Sequence, residues 1–360
     1  MLDYPVGIIA SVAFGCNLRC TMCQLHSEHT LSYNNGCGRT EMSDTTFYEV
    51  LKLLPKIQHV NITVEGEILV YKKWFYRWLK AIEPYPNIRL VFQTNGMLMS
   101  TDIIKEIINN QRINCVQFSI DGATPIVNDS IRCGASLDTI LANISLLINA
   151  KRDLQRDIPH IHTHFVMMKD NIHELPDYVK KMCEIGVNSL SAKHIIINYR
   201  EQIKQSLYFY QDFCDEMILK ARKIANNYGV SVNLPITFTE AKQNQTCRPN
   251  CFDPWRHGQI LHDGGIYSCC NNAILMGNIN DGGFEKIWNN EKYQRLRATV
   301  NSENPEFTLC KYCNALLPIN NFEAHVYTKL LIKLIENNEL NDWCPNPVKL
   351  LIAPDEKLIE

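Results

Sequence analysis

The chain has 360 residues and a mass of 41.5 kDa, which predicts one large barrel-like domain with an appendage, or two domains. Its 36 basic and 38 acidic side chains give a formal net charge of −2, so no overall positive field would attract nucleic acid or an anionic membrane. Hydrophobic residues make up 46% of the chain, but no apolar run reaches the roughly 18 residues that cross a bilayer. The N-terminus lacks the features of a signal peptide. We therefore expect a cytoplasmic globular protein without a nucleic-acid or membrane partner.

The N-terminal part of the chain alternates short β-rich apolar runs with amphipathic helical patterns. The six predicted strands are Ile8–Phe14, Val60–Val64, Ile88–Gln93, Cys115–Ile120, Ile161–Met167 and Ser189–Ile197. The predicted helices between them are Asp44–Leu54, Lys73–Ile82, Thr101–Asn110, Leu137–Ala150 and Ile172–Ile185. Strands that alternate with helices form a parallel sheet with right-handed crossovers. The repetition favours an α/β partial barrel whose ligands bind at the carboxyl ends of the strands.

The remainder of the chain changes in composition. A long helix is predicted at Leu207–Tyr228, followed by a short strand-like segment. The stretch Cys247–Cys313 is richer in cysteine and glycine, which indicates a second module, and an amphipathic helix is predicted at Val326–Leu334. The predicted divisions are a barrel core at 1–205, a connecting helix and strand at 206–246, a small α+β module at 247–318, and a helix and tail at 319–360.

The 15 cysteines are the most informative feature of the composition. In a reducing compartment, cysteines serve mainly as metal or cluster ligands and as catalytic groups. Directly after the first predicted strand, Cys16, Cys20 and Cys23 form a C-x3-C-x2-C motif. Soft thiolates suit an iron–sulfur cluster or zinc. A structural zinc ion would need a fourth ligand, from Cys37 or His26, whereas a four-iron cluster held by three cysteines leaves one iron open to a small molecule.

The motif CNLRCTMC closely resembles the signature of radical S-adenosylmethionine (radical SAM) enzymes. The resemblance implies that Cys16, Cys20 and Cys23 bind a [4Fe–4S] cluster whose open iron takes the amino and carboxylate groups of S-adenosylmethionine. It implies reductive cleavage of this cofactor to a 5′-deoxyadenosyl radical, which abstracts hydrogen from the substrate. The implied fold is a partial (β/α)6 barrel, which the alternation of strands and helices predicts independently.

The resemblance extends to the ends of the second and third predicted strands. Gly66 and Glu67 match the family's GGE motif, which holds the methionyl amino group, although Glu65 stands where the motif has its first glycine. The third strand ends in TNG, and this similarity implies that Thr94 belongs to the cofactor site. Such a turn is common in proteins and says little alone. It supports the resemblance because it follows the preceding motifs in order along the chain.

The fourth predicted strand adds two further positions. It reads FSIDG and is followed by DSIR, which resembles the family pattern and implies that Ser119 and Arg132 bind the cofactor carboxylate. The planar guanidinium of arginine suits paired hydrogen bonds to a carboxylate. Met22 stands where relatives place a residue against adenine, so the resemblance implies that contact as well.

A second set of cysteines lies in the C-terminal part of the chain. The pair Cys310 and Cys313 says little alone, because a C-x2-C spacing is common by chance. The surrounding segments CFDPWR, HDGGIYSCC, MGNINDGGFEKIWN and LCKYC resemble the SPASM/twitch module of radical SAM enzymes. This resemblance implies an auxiliary [4Fe–4S] cluster held by Cys251, Cys269, Cys310 and Cys313, with Cys270 as the alternative to Cys269.

Four thiolates would complete the coordination of the auxiliary cluster, so it would pass electrons rather than bind substrate. Only Cys344 follows the motif, which favours one auxiliary cluster and a twitch-like arrangement. Gly264 is expected to form a hairpin turn, and Trp255 and Trp288 to pack the module. A zinc ribbon is the alternative for the four cysteines in isolation.

The predicted reaction is hydrogen abstraction from a small polar substrate, sugar-like or aminocyclitol-like, which ends in oxidation or epimerisation. The cysteine motif begins at Cys16, which leaves no room for the peptide-binding domain that often precedes the core in peptide-modifying relatives. The alternatives are crosslinking or epimerisation of a peptide, and a non-catalytic iron–sulfur relative, which only Glu65 supports. We expect a reductant such as flavodoxin or ferredoxin as a partner.

Further side chains are candidates for roles in the reaction. Cys247 is selected as a possible hydrogen donor because it lies in a loop that could face the barrel mouth, with two other loop cysteines as alternatives. His160, His162 and His164 alternate along the fifth predicted strand, so they would face one side of the sheet. One of them could act as a base toward the substrate, and the others would line the barrel.

Overall fold

The computed structural model describes residues 3–28, 40–244, 249–269 and 274–337. The strands are β1 (Gly7–Gly15), β2 (Thr40–Glu41), β3 (His59–Gly66), β4 (Arg89–Thr94), β5 (Ile113–Ser119), β6 (His160–Met167), β7 (Ser189–His194), β8 (Ser231–Asn233), β9 (His257–Ile260), β10 (Gly265–Tyr267) and β11 (Leu275–Asn278). The helices are α1 (Asp44–Leu51), α2 (Lys72–Ile82), α3 (Thr101–Asn109), α4 (Pro125–Ile131), α5 (Leu137–Asp153), α6 (Leu175–Ile185), α7 (Gln211–Tyr228), α8 (Phe238–Gln243), α9 (Asp253–Arg256), α10 (Phe284–Trp288), α11 (Glu291–Thr299), α12 (Thr308–Lys311) and α13 (Thr328–Glu336).

These strands form one sheet, in the order β11-β10-β9-β1-β3-β4-β5-β6-β7-β8, with β2 beside β1. Strands β1 and β3 to β7 pair in parallel with their neighbours. They correspond to the six predicted strands, so the predicted α/β core of strand–helix units is confirmed. The short strands β2 and β8 extend this core and were not predicted as parts of the same sheet.

The helices bury apolar faces against the sheet, as α2 illustrates. Its residues Trp74, Phe75 and Trp78 are buried at helical spacing. Phe47 of α1 packs edge-on against both tryptophan rings, at centroid distances of 5.1 and 5.2 Å. Several helices begin at a hydroxyl side chain that caps a free backbone N–H. These N-cap residues are Ser43, Ser100, Thr124 and Ser136.

The C-terminal cysteine-rich part continues the core sheet. Strand β9 pairs in parallel with β1 over four residue pairs, and β10 and β11 follow as antiparallel strands. Gly264 in the turn before β10 has a φ of +87°, and a Cβ there would lie 2.6 Å from Oδ1 of Asn278. The hairpin turn therefore requires glycine. Trp288 is buried and stacks on Phe284 at 5.5 Å, as expected for a packing residue.

The last described helix, α13, packs near the carboxyl end of β7. Ile197 donates a backbone hydrogen bond to His325 at 2.7 Å and accepts one from Tyr327 at 2.6 Å. The buried apolar residues beneath this contact are Ile131, Met168, Ile195, Ile197, Ile203, Phe322, Val326, Leu331 and Leu334. Within the described ranges, no helix is both long and apolar enough to cross a bilayer.

Candidate active site

A cavity of about 580 Å³ lies at the carboxyl ends of the parallel strands. The predicted residues of the core cofactor site all line it: Cys16, Cys20, Met22, Cys23, Gly66, Glu67, Thr94, Ser119 and Arg132. They come from the loop after β1, from the ends of β3, β4 and β5, and from the end of α4. Parallel strands bring their carboxyl ends to one edge of the sheet, so residues far apart in sequence meet there.

The cysteine loop is fixed to the end of α4 by its backbone. Arg19 and Thr21 donate N–H hydrogen bonds to the carbonyl oxygens of Cys133 and Ile131, both at 2.9 Å. The sulfur atoms receive hydrogen bonds in turn, for example from His26 N–H to Sγ of Cys23 at 3.3 Å. The loop therefore holds its thiol groups in defined positions.

The thiol groups of this loop fit the ligands of a cluster. Burial raises the pKa of Cys16 to about 11 and that of Cys20 to about 12, so neither would ionise at neutral pH without added positive charge. A metal centre supplies that charge and deprotonates a coordinating thiol. Sulfur atoms that line the cavity beside N–H donors are therefore suited to hold an iron–sulfur cluster there.

The zinc alternative for this loop has no geometric support. His26, a candidate fourth ligand, is 2.6 Å from the carbonyl oxygen of Glu65 through its Nε2 atom. Cys37, the other candidate, lies outside the described residues. Among the side chains that the structure describes, no three His, Cys, Asp or Glu residues are placed to hold one metal ion, whereas a cluster takes its thiolates at separate iron atoms.

Glu67 is buried and its carboxylate accepts three hydrogen bonds. The N–H of Leu69 and the hydroxyl of Thr94 donate to Oε1 at 3.0 and 2.8 Å, and the N–H of Asn95 donates to Oε2 at 2.6 Å. Burial raises the pKa of Glu67, and these hydrogen bonds oppose the shift. Thr94 therefore fixes the orientation of Glu67 at the cavity wall.

Glu65, which departs from the family motif, binds the C-terminal module. Its Oε2 lies 3.3 Å from Nδ1 of His262, in the turn between β9 and β10. Nε2 of His262 is 3.0 Å from the hydroxyl of Thr40 on β2. The hydrogen bond to Glu65 raises the pKa of His262. The glutamate thus has a structural partner, which explains the departure from glycine without loss of the cofactor site.

Arg132 is held by a carboxylate that sequence reasoning did not select. Its Nε lies 2.7 Å from Oδ2 of Asp121, and both side chains are buried. The other oxygen of Asp121 accepts the N–H of Val166 at 2.7 Å. Nη1 of Arg132 is 3.9 Å from Sγ of Cys20. Burial opposes the charge of Arg132, but Asp121 outweighs this effect and the pKa of Arg132 is raised.

Further polar side chains lie at the cavity wall, among apolar ones. Ser119 accepts a hydrogen bond from Gln93 at 2.8 Å, and Nδ1 of His164 lies 2.9 Å from the hydroxyl of Ser191. His162 is 2.8 Å from the hydroxyls of both Ser189 and Ser191, which places it beside His164 on the same face. Burial lowers the pKa of His164 to about 4, so its imidazole is neutral at physiological pH.

We expect Gly66→Ala to distort the core site. A Cβ at Gly66 would lie 1.9 Å from the carbonyl oxygen of Gly15 and 3.0 Å from the amide nitrogen of Cys16, and its φ is +154°. The end of β3 would have to move away from the cysteine loop, which we expect to lower the free energy of unfolding by about 1–3 kcal/mol and to weaken S-adenosylmethionine binding. Urea unfolding and calorimetric titration measure the two effects.

The matched control for this substitution is Gly186→Ala. Gly186 ends α6 with a φ of +93°, but a Cβ there meets nothing within 4 Å. The control carries backbone strain without a steric clash, so it should leave cofactor binding unchanged. Normal cofactor binding by Gly66→Ala would show that the close approach of β3 to the cysteine loop is not required.

The cysteines predicted for the auxiliary site are all half-buried. Cys310 and Cys313 share one turn, in which the N–H of Cys313 donates to the carbonyl oxygen of Cys310 at 3.3 Å. The side chain of Asn301 holds the backbone of Cys251 by two hydrogen bonds. Its Oδ1 accepts from the N–H of Cys251 at 2.7 Å, and its Nδ2 donates to the carbonyl oxygen of Cys251 at 3.0 Å. Cys269 follows β10. Cys310 and Cys313 therefore lie in one hydrogen-bonded turn, and Cys251 is anchored by Asn301.

Besides Cys37, two predicted site residues lie outside the described ranges. Cys270 is one, so the choice between Cys269 and Cys270 as the auxiliary ligand stays a prediction. Cys247 is the other, so its role as a hydrogen donor also stays a prediction.

The chain is similar to characterised proteins over most of its length. It is 24% identical over 324 residues to the tungsten-containing aldehyde ferredoxin oxidoreductase cofactor-modifying protein of Pyrococcus furiosus, covering 83% of this chain and 85% of that protein. It is 20% identical over 310 residues to the mycofactocin maturase MftC of Mycolicibacterium smegmatis, covering 82% and 73%. The crystal structure of Streptococcus suis SuiB bound to precursor peptide SuiA matches with a TM-score of 0.65 at 15% identity, over 91% of this chain and 73% of that chain.

The expected preference for a small sugar-like substrate is wrong. SuiB is bound to a precursor peptide, and the two sequence relatives are a maturase and a cofactor-modifying protein. The expectation used the position of the cysteine motif in the chain. That position carries no information about the shape or polarity of the cavity, and these decide what the cavity admits.

Two family models match the chain. The model of the radical SAM superfamily matches residues 11–205, and the SPASM model of an iron–sulfur cluster-binding domain matches residues 251–314. The first domain binds S-adenosylmethionine and a [4Fe–4S] cluster, and the second binds auxiliary iron–sulfur clusters. The predicted cofactors and fold class are therefore confirmed. The chain belongs to the radical SAM superfamily and carries a C-terminal SPASM domain.

Proposed function

We propose that this chain is a radical SAM enzyme that modifies a peptide or protein substrate. The observation that carries the proposal is the cavity beside the core cofactor residues, together with the likeness to a maturase and to SuiB bound to its precursor peptide. A peptide presents both N–H donors and carbonyl acceptors. Gln93, His164 and Lys193 line the cavity and offer both kinds of group to such a substrate.

The core residues would hold the cofactors. Cys16, Cys20 and Cys23 would bind the [4Fe–4S] cluster. When bound, the cluster and S-adenosylmethionine supply a reductively generated radical that abstracts hydrogen, and this is chemistry that the protein itself does not perform. The protein's contribution is to bind and orient the reactants.

The remaining cavity residues would orient S-adenosylmethionine. Glu67 offers its carboxylate to the methionyl ammonium, and Thr94 keeps that carboxylate in place. Arg132 and Ser119 would bind the carboxylate of the cofactor, with the guanidinium fixed by Asp121. Met22 offers an apolar, adaptable surface to the adenine ring. These assignments combine the family motifs with the position of each side chain at the cavity wall.

The outcome for the substrate depends on how its radical is removed. The cysteines of the SPASM domain would hold the auxiliary cluster, which supplies an acceptor for one electron. Loss of that electron and of a proton would complete a two-electron oxidation, which includes crosslinking. Return of a hydrogen atom by a thiol would give epimerisation instead. Oxidation or crosslinking is the outcome that we favour, because the auxiliary domain is present.

The experiment is an anaerobic incubation of the reconstituted chain with S-adenosylmethionine, dithionite and a defined pool of short synthetic peptides. We expect peptide-dependent formation of 5′-deoxyadenosine and peptide products that have lost two hydrogen atoms. The control is a parallel pool of monosaccharides and aminocyclitols. Stimulation by the sugar pool and not by the peptides would overturn the proposal, and deuterium uptake from D2O at unchanged mass in H2O would indicate epimerisation.

A further inference from the structure

An arginine in the SPASM domain packs against two aromatic rings that are in contact with each other. The guanidinium carbon of Arg297 on α11 lies 4.4 Å from the ring centroid of Trp288 and 4.7 Å from that of Tyr293. Its Nε donates to the carbonyl oxygen of Pro254 at 2.9 Å. Trp288 and Tyr293 are themselves buried. The arginine therefore has a fixed position inside the domain.

The charge of Arg297 has no counter-ion among the described residues. Both of its terminal nitrogens, Nη1 and Nη2, are buried without a hydrogen-bond partner, as is the hydroxyl of Tyr293. Arg295, on the same helix, behaves differently because it is half-exposed and pairs with Glu291 and Glu306 at 3.9 and 3.3 Å. Arg297 as a whole is half-buried, but two terminal nitrogens that are shielded from water and lack an acceptor indicate a missing anion.

The surroundings of Arg297 show where that anion belongs. Pro254, which accepts its Nε hydrogen bond, is in the short helix that follows Cys251. Asn301, just beyond α11, holds the backbone of Cys251. The guanidinium thus lies among residues next to Cys251, a predicted cluster ligand.

We propose that Arg297 is the counter-charge of the auxiliary iron–sulfur cluster and raises its reduction potential. A cluster with four thiolate ligands carries net negative charge, and reduction makes it more negative. A fixed positive charge nearby stabilises the reduced form more than the oxidised form, and net charge and hydrogen bonds are established determinants of cluster potential. Arg297 is a positioning and tuning residue, since the cysteines alone bind the metal. The inference rests on the auxiliary cluster and not on the identity of the substrate.

The experiment isolates the auxiliary cluster in the full-length chain. The background variant carries Cys16→Ala, Cys20→Ala and Cys23→Ala, which removes the core cluster, and it is reconstituted with iron and sulfide. The midpoint potential is then followed by electron paramagnetic resonance in a redox titration. At a fixed potential, we expect Arg297→Met to lower the ratio of reduced to oxidised cluster by about tenfold. For a one-electron couple this corresponds to a midpoint potential that is lower by about 59 mV.

Two further variants separate charge from packing. Arg297→Lys keeps the charge, so the ratio of reduced to oxidised cluster at the same potential should stay within about twofold of that in the background variant. Arg295→Gln removes a neighbouring exposed charge and should leave the potential unchanged, because solvent screens it. If Arg297→Met does not retain the cluster, cluster retention becomes the readout, and recovery by Arg297→Lys supports a charge effect.

Three results would overturn the proposal. The first is an unchanged potential in Arg297→Met. The second is loss of the cluster in both Arg297→Met and Arg297→Lys, which would indicate a packing role only. The third is a background variant that takes up no iron and sulfide. No peptide is present in these measurements, so a failure here is distinct from a failure of the proposed function.

Discussion

Replacement of Cys16, Cys20 and Cys23 by alanine will abolish the formation of 5′-deoxyadenosine and lower the iron content of the reconstituted chain from about eight to about four atoms. The three thiol groups line the cavity, and burial raises the pKa of Cys16 and of Cys20, so these two stay neutral unless a metal centre binds. Without them, the described lining of the cavity offers no thiolate for a cluster beside Glu67 and Arg132. Iron and sulfide analysis and chromatography of the nucleoside product measure the two effects.

The matched control is Cys133→Ala. Cys133 is exposed and lies beside the cysteine loop, and its side chain only donates to the carbonyl oxygen of Ser130. We expect this variant to keep the full iron content and the cleavage activity. Cleavage of S-adenosylmethionine by the triple variant would contradict the assignment of the cluster. An iron content of about four atoms in the unaltered chain would leave the SPASM domain without its cluster.

Replacement of Asp121 by alanine will lower the free energy of unfolding by about 3–5 kcal/mol, because it leaves the guanidinium of Arg132 buried without its partner. The two side chains are 0% and 9% exposed and are 2.7 Å apart. The variant also loses the acceptor for the N–H of Val166. Since Arg132 would then be free to rotate, S-adenosylmethionine binding should weaken with the stability. Urea unfolding and calorimetric titration measure the two changes.

The control for this substitution is an exposed ion pair of similar length. Glu216 and Lys220 on α7 are 2.6 Å apart and are both more than half exposed. Glu216→Ala should cost only about 0–1 kcal/mol, as is usual for surface pairs. A comparably small cost for Asp121→Ala would show that Arg132 finds another partner or reaches solvent, and would remove the argument that Asp121 positions it.

The core strands could be predicted because each is a local pattern. The runs that became β1 and β3 to β7 are apolar, rich in β-branched residues and separated by amphipathic helices, so periodicity alone identifies them. The pairing of β9 with β1 could not be predicted in the same way. It joins segments about 250 positions apart, and no local propensity determines which strand completes the edge of a sheet.

The site shows the same division between local and distant information. The spacing of Cys16, Cys20 and Cys23 is a property of one loop, and the sequence shows it directly. The ion pair of Asp121 with Arg132 depends on the turn after β5 meeting the end of α4. In the sequence, nothing in the FSIDG segment marks Asp121 as the partner of Arg132. The isolated charge of Arg297 is visible only once the absence of a neighbouring carboxylate in the described residues is known.

The substrate class was the least predictable property. The residues that would meet a substrate, such as Gln93, His164 and Lys193, come from three different strands. Each is an ordinary polar side chain in sequence, and only the fold gathers them on one wall. A motif defines the cofactor chemistry because its ligands are adjacent, whereas substrate selection is distributed along the chain.

The ladder between β1 and β9 makes the two cofactor regions parts of one cooperative unit. Strand β1 leads directly into the cysteine loop, and β9 opens the hairpin that precedes Cys269. Removal of the C-terminal region would leave one side of β1 with unpaired N–H and carbonyl groups, and such an open strand tends to pair with other chains. The C-terminal domain therefore covers the open edge of β1 and protects the barrel core from self-association, in addition to any role in electron transfer.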